Sequence, residues 1–218
     1  MAKKAEPVSR VFSVGGDEPT PRARARGASR AAQLVKVAER MFYERGYSDT
    51  SMDDLALAVG IQKGSLYYYV KGKDDLLFRI AENVHKAVNE LFDAAAARED
   101  LTPLGRIVEY VESQLTHNAN NIVELAVYHH DWKRLEGKRL ATVVNLRDAF
   151  RARVIAMLQE AKDAGEIKES VDLRLASAHL FAVNIWPYTW YRTRGSISAE
   201  ELARSGGEFV RSGLAGMS

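Results

Sequence analysis

From residue 34 onward, apolar side chains fall at helical spacing. Leu34, Val37, Ala38, Met41 and Phe42 follow the i, i+3, i+4, i+7, i+8 order of an amphipathic helix, with Ser29 as its expected N-cap and Gly46 as its stop. Met52, Leu55, Ala56 and Val59 repeat the pattern over a shorter segment, and Leu66 and Val70 over another. Between these two lies Gly60, which allows the left-handed backbone of a tight interhelical turn, with Ile61 packed beneath it. A long helix opens at Asp74 or Asp75 and runs through Leu77, Ile80, Val84, Val88 and Leu91. Pro103 falls in the first turn of the next, where its missing N–H does no harm, and Ile107, Val108, Val111 and Leu115 follow. Segments 120–135, 138–163, 172–194 and 198–214 complete the series, the second of them stopped by Gly165. Pro187 predicts a kink in the third, because it removes one helix hydrogen bond and crowds the Val183 carbonyl. No convincing strand pair and no 20–50-residue repeat interrupts this order. The expected fold class is all-α, with about nine helices. A three-helix domain over 29–78 continues into a larger helical domain over 79–218. Residues 1–28, with Pro7, Gly15, Gly16, Pro19, Pro21 and Gly27 and no apolar periodicity, read as a disordered arm.

Composition narrows the function classes. Hydrophobic residues make up 46% and charged residues 28%, an ordinary soluble balance. No apolar run reaches the ~18 residues that span a bilayer, and the N-terminus lacks the apolar core of a signal peptide, so no membrane partner is expected. The absence of cysteine excludes disulfides, thiolate metal sites and cysteine nucleophiles, and fits a reducing cytoplasm. The net charge of +2 hides an asymmetry: residues 1–30 hold seven Lys/Arg against three Asp/Glu, a local +4, which leaves −2 on the remainder. Lys3 and Lys4 suit a solubilising leader. Arg22, Arg24, Arg26 and Arg30 suit either that role or attraction to phosphates.

The segment from Ser51 to Lys73, SMDDLALAVGIQKGSLYYYVKGK, carries the most chemistry. Two short helices about a glycine turn are how a small domain places a helix in the DNA major groove. Thr50 and Ser51 would cap the first, whose N-terminus suits a phosphate. The second begins near Gln62, with Leu66 and Val70 inward. Lys63 then suits a guanine edge, Ser65 a base edge or a phosphate, and Gly64 lets the backbone approach DNA closely. Tyr67 suits a thymine methyl or a phosphate, Tyr68 and Tyr69 offer hydroxyls to phosphates, and Lys73 suits a phosphate one step along. Core packing is the competing reading of three adjacent tyrosines. Three consecutive helical residues cannot all face one way, so at least one is exposed.

The segment AERMFYERGYSDTSMDDLALAVGIQKGSLYYYVKGKDDLL resembles the N-terminal domain of the TetR family of bacterial transcriptional regulators. The matching pieces are Phe42–Tyr47, Thr50–Ser51, Asp53–Ala56, Gly60–Tyr68, and Lys73 with Leu76 and Leu77. Tyr69 stands where the family usually has His, and Val70 where it usually has Phe, so operator details transfer less well than the fold. The resemblance implies a nucleoid-associated regulator that binds double-stranded operator DNA as a homodimer and releases it on binding a small effector. It also implies dimerisation through the last two helices, here with Leu180, Val183, Leu202, Phe209 and Val210.

In the second half, Tyr110, Gln114, His117, Tyr128, His129, Trp132, Trp186, Tyr188, Trp190, Tyr191 and Arg192 concentrate aromatic and polar-tipped groups on expected helices. Each alone reads as core or surface; together they suggest an effector pocket. Asn184–Arg192 and Tyr128–Leu135 also look like one branch of the family, repressors of steroid-ring breakdown that sense coenzyme A thioesters. That likeness implies a CoA thioester as effector, with Arg147, Arg151, Arg192 or Arg194 pairing its phosphates. No cofactor, metal or catalytic set is expected. His129–His130–Asp131 lacks the i, i+4 histidine pair of a helical zinc site, and the nucleophile elbow G-x-S-x-G is absent. Two alternatives stay open: a sequence-neutral architectural DNA binder, and a helical enzyme acting on acyl thioesters.

Overall fold

The computed structural model describes residues 21–216, with side chains from Ser29 onward. All regular secondary structure among these residues is helical: α1 (Pro21–Arg45), α2 (Met52–Ala58), α3 (Lys63–Tyr69), α4 (Lys73–Ala96), α5 (Pro103–Asn120), α6 (Ile122–Asp131), α7 (Gly137–Asp163), α8 (Leu173–Ile185), α9 (Pro187–Trp190) and α10 (Ala199–Gly216). A single 3-10 turn, Trp132–Arg134, joins α6 to α7. The nine expected helices are all present, and Pro187 divides the eighth of them into α8 and α9.

Three boundaries differ from the sequence reading. Ser29 lies inside α1, which begins at Pro21, so the end of the expected arm is helical. The reason is local: Pro21 is pre-organised for a first turn, and the following Ala and Arg residues are strong helix formers that outweigh Gly27. Residues 1–20 of the arm lie outside the described part. The expected helix 120–135 starts after a cap at Asn121 and gives way to the 3-10 turn at Trp132. The segment expected to be helical to residue 194 ends at Trp190.

Elsewhere the ends follow their residues. Thr102 caps α5 by accepting from the Gly105 N–H at 3.1 Å, with Pro103 beside it in the first turn. Asp172 caps α8, and Ser198 and Glu201 exchange bonds ahead of α10. Leu34, Ala38 and Phe42 of α1 are buried with Leu55, Leu66, Leu76 and Leu77 in one apolar core that continues through the rest of the chain. Ile107, Val111, Leu115, Phe150, Leu158 and Leu180 are buried in the second half. α4 crosses the expected 78/79 boundary without a break, so the two parts share a helix. α10 lies close along α5, where a Cβ on Gly206 would overlap the Leu115 side chain.

α1 also packs on α6, and a buried carboxylate sits at that junction. Glu39 accepts from Lys36 Nζ at 2.8 Å, and Lys36 lies 3.6 Å from Glu124 of α6. The other oxygen of Glu39 has no hydrogen-bond partner. Burial pushes the Glu39 carboxyl up to about 7, against the pull of Lys36 and with the help of Glu124. A carboxyl raised above its unfolded value of 4.5 stabilises the fold at low pH and loses that contribution as pH rises through 7. Glu39→Gln should therefore raise stability at pH 8 by roughly 1–2 kcal/mol and change little at pH 5. Thermal denaturation at both pH values reads this directly; the same change at each would show that ionisation of Glu39 is not the cause.

Candidate nucleic-acid interface and ligand cavity

The short helices are set by their turns. Gly46 (φ +91°) ends α1 and Gly60 (φ +67°) ends α2, both in left-handed backbone that side chains disfavour. Past Gly60, the Ile61 N–H bonds the Ala56 carbonyl at 3.0 Å and turns the chain into α3. Ser51 caps α2 reciprocally: its Oγ accepts from the Asp54 N–H at 3.1 Å, and Asp54 accepts from the Ser51 N–H at 2.9 Å. Thr50 does not share that task. It is fully buried, and its hydroxyl donates to the Gly46 carbonyl at 2.9 Å, so it locks the α1–α2 loop instead of facing a phosphate.

On α3, Leu66 and Val70 face inward, while Gln62, Lys63, Gly64, Ser65, Tyr67 and Tyr68 are exposed together on the outer side. Tyr68 is 79% exposed and Tyr67 49%. Tyr69 is half-buried against the core, edge-on to Tyr68. Lys63 Nζ bridges to Asp53 of α2 at 2.8 Å, and this bond raises its pKa. Lys73 is engaged within the chain: its ammonium donates to the Tyr47 and Ser48 carbonyls at 2.7 and 3.2 Å and lies over the Tyr47 ring. It steadies the α1–α2 loop, which differs from the free phosphate ligand expected.

Asp75, in the first turn of α4, ties the end of α3 to the rest of the protein. It accepts from Arg139 of α7 at 2.8 Å, from Arg79 at 3.2 Å and from the Lys71 N–H at 3.2 Å. Arg79 also donates to the carbonyl of Tyr69, the last residue of α3, at 3.1 Å.

A cavity of about 600 Å³ lies among α4, α5, α6, α7 and α8. Val84, Val88, Leu125, Phe150, Ile155, Phe181 and Ile185 line it with apolar surface. Its buried polar groups are His85, Gln114 and Tyr128; Arg147 is half-buried, and Arg151 and Arg174 are exposed at its rim. Tyr128 Oη lies 2.8 Å from His85 Nε2 and accepts from Arg147 at 3.1 Å. Arg147 also stacks over the Trp132 ring, 4.5 Å from its centre. Burial and then the Arg147 charge push His85 down to about 4. His129 falls to about 3 from burial, Arg147 and the two neighbouring histidines. Both are neutral at pH 7, so the positive charge of the cavity is carried by its arginines.

Residues 34–80 match the family described as bacterial regulatory proteins, tetR family, and residues 100–214 match the tetracyclin repressor-like C-terminal domain. The chain belongs to the TetR family. Among TetR-family relatives, it is 27% identical to the transcriptional repressor KstR2 of Rhodococcus jostii over 196 residues, covering 86% of this chain and 92% of that one. It is 24% identical to the regulator TtgR of Pseudomonas putida, covering 69% and 74%. The fold superposes on the ketosteroid regulator KstR2 of Mycobacterium tuberculosis with a TM-score of 0.78 at 20% identity, covering 85% of this chain and 94% of that one. It superposes on AibR in complex with isovaleryl coenzyme A and operator DNA with a TM-score of 0.75 at 21% identity, covering 83% and 97%.

Of the effector residues expected from sequence, the cavity of this TetR-family chain gathers Gln114, Tyr128, His129, Arg147 and Arg151. Tyr110 lies outside its lining, buried against Phe92 and Phe150. Trp132 backs Arg147 without lining the space. Trp186, Trp190 and Arg192 are exposed outside it. Phe181 and Ile185 already occupy the inward face of α8, and Trp186 lies a further 100° around the helix. Sequence reasoning missed His85, Phe181 and Arg174. His85 does carry a signal, since it falls within the apolar stripe of α4 beside Val84 and Val88. Of the expected dimer residues, Leu180, Leu202 and Val210 are buried in their own chain, Val183 is half-buried and Phe209 is 68% exposed. The outward face of α8 carries Leu175, Ala182 and Trp186. The Asn184 carbonyl, beside the break at Pro187, accepts from buried Asn118 at 2.9 Å. No helix among the described residues is long and apolar enough to cross a membrane, and no group of three potential metal ligands occurs among them.

Proposed function

We propose that this TetR-family regulator is a homodimeric repressor that leaves a palindromic operator when an acyl-CoA thioester enters the cavity. The carrying observation is the cavity itself: apolar walls of acyl dimensions, with Arg147, Arg151 and Arg174 where a phosphorylated carrier would lie. The likeness to KstR2 and to an AibR complex holding isovaleryl coenzyme A supports the ligand class. The exposed Leu175, Trp186 and Phe209 support α8 and α10 as the face of a second copy, in place of the inward residues expected.

In this reading α6 and α7 transmit the signal. α6 carries Leu125, Tyr128 and His129 on the cavity and Glu124 at the α1 junction. α7 carries Arg147 on the cavity and Arg139 on Asp75. A dimer that reads a palindrome holds its recognition helices about 34–36 Å apart, one DNA turn. The thioester favours release only as far as it prefers a dimer of another spacing.

Selection of genomic fragments by the purified protein, then gel shift on the best site with a panel of acyl-CoA thioesters, tests this. A palindromic site released by one thioester is expected. A site unaffected by the panel would end the thioester assignment, and no preferred site would favour an architectural binder.

A further inference from the structure

Arg147 differs from the other two arginines of the cavity. Arg174 is exposed and bidentate on Asp172 at 2.9 and 3.3 Å, and Arg151 is exposed with Asp148 3.6 Å away. Arg147 is half-buried and pairs with no carboxylate among the described residues. Its guanidinium is nevertheless fixed. Nη1 donates to Tyr128 Oη at 3.1 Å, and the group lies over the Trp132 ring, 4.5 Å from its centre. Tyr128 is held in turn by His85 at 2.8 Å. Held at one nitrogen and on one face, the guanidinium keeps the edge formed by Nε and Nη2 without a partner among the described residues. These two nitrogens retain accessible surface, because the buried unpartnered side-chain atoms of the described residues belong to Glu39, Tyr110, Gln114 and Asn184 alone. The described cavity lining supplies no Asp or Glu to match them. A planar fork already held by its neighbours loses little freedom on pairing with a carboxylate, and such pairs are charge-assisted and often bidentate.

We propose that Arg147 is a specificity-determining residue that anchors a carboxylate of the effector through its Nε–Nη2 edge. The carboxylate rests on Arg147. Its place on the acyl part of a coenzyme A thioester rests on the function proposed above, with Arg151 and Arg174 left to the carrier phosphates. The same chemistry has a second source, a free carboxylic acid. An acyl chain that ends in a methyl group leaves the fixed edge unmatched, and a site built around a polar group rejects an analogue lacking the matching group more strongly than an apolar pocket rejects a missing methylene. If Arg147 only supported Tyr128 and Trp132, its removal would weaken charged and uncharged ligands alike.

Isothermal titration calorimetry with matched probes tests this. One series sets hexanoyl-, octanoyl- and decanoyl-CoA against the mono-CoA thioesters of the dicarboxylic acids of the same length. The other sets the free fatty acids against their primary amides, which keep the shape and lose the charge. For wild-type protein the carboxylate-bearing member should bind about tenfold tighter or more in at least one series. In Arg147→Met the preference should vanish while the uncharged-chain members bind about as before. Arg147→Lys should restore part of it, because the charge returns without the fork. A preference confined to the free acids would uphold the role of Arg147 while removing coenzyme A as carrier. Plain thioesters that bind as well as their carboxylated partners would overturn the carboxylate assignment and leave the thioester reading standing. Equal loss of both members in a folded Arg147→Met protein would overturn it too, as would a preference that survives there. Failure of every probe to bind would overturn the carboxylate assignment and the thioester reading together.

Discussion

Asp75→Ala is expected to lower stability by about 2 kcal/mol and to loosen the link between the helices around the cavity and α3. Asp75 is 9% exposed and holds two arginines and a backbone N–H. Removing one member of a buried charged group costs several kcal/mol when the remaining charge stays buried. Here the side chains of Arg79 and Arg139 are 35% and 27% exposed, so water recovers part of that loss and the smaller figure applies. The consequence for function follows from what the arginines touch. Arg79 also holds the carbonyl end of α3, and Arg139 arrives from α7, the helix that carries Arg147 into the cavity. Arg139→Met removes only the limb between the halves and should cost less than about 1 kcal/mol, because Arg79 and Lys71 still engage Asp75. It should nonetheless raise the ligand concentration needed to release DNA. Urea unfolding of both variants, with ligand titrations of the bound operator, separates the two effects. A destabilised Asp75→Ala protein beside an Arg139→Met protein with unchanged release would leave Asp75 as a local cap of α4 and remove it from the coupling route.

Residues whose role is set by their nearest neighbours were legible in the sequence. Gly46 and Gly60 mark real turns because left-handed backbone is a local demand, and Ser51 caps because Asp54 stands three residues on. The outward face of α3 followed from helical period alone, since Leu66 and Val70 fix the inner side. The failures lie where a second element decides. Thr50 looked like a cap, but the end of α1 offers its hydroxyl a carbonyl, that of Gly46. Lys73 looked free for a phosphate, but the α1–α2 loop folds back over it. The cavity is bounded by five consecutive helices, and no periodicity in any one of them states which of its faces meets the other four. Aromatic density therefore drew attention to Trp186 and Trp190, which lie outside, and away from His85 and Phe181, which lie within. Leu180, Leu202 and Val210, expected at a dimer face, are buried within their own chain for a related reason. An amphipathic helix declares its apolar stripe, and the fold of its own chain can use that stripe first.

Alanine at Lys63 or Tyr67 should weaken binding to the selected operator on the order of tenfold more than binding to random DNA. Both stand on the exposed face of α3, with Lys63 in its first turn, where recognition helices reach base edges. The bridge from Lys63 to Asp53 adds a condition that the sequence did not suggest. To reach a guanine edge, the ammonium must leave a carboxylate that is itself exposed. Asp53→Ala should therefore tighten binding to all DNA by removing a repelled charge, and tighten operator binding further by freeing Lys63. Salt titration distinguishes base reading from phosphate contact. A phosphate-binding lysine contributes close to one unit to the slope of log K against log salt, while a base-reading one alters the ratio of operator to random affinity. If Lys63→Ala lowers that slope by about one and leaves the ratio unchanged, Lys63 positions the helix and sequence reading passes to Tyr67 and Ser65. If the ratio falls and Asp53→Ala raises it, the bridge is a latch that the correct base sequence opens.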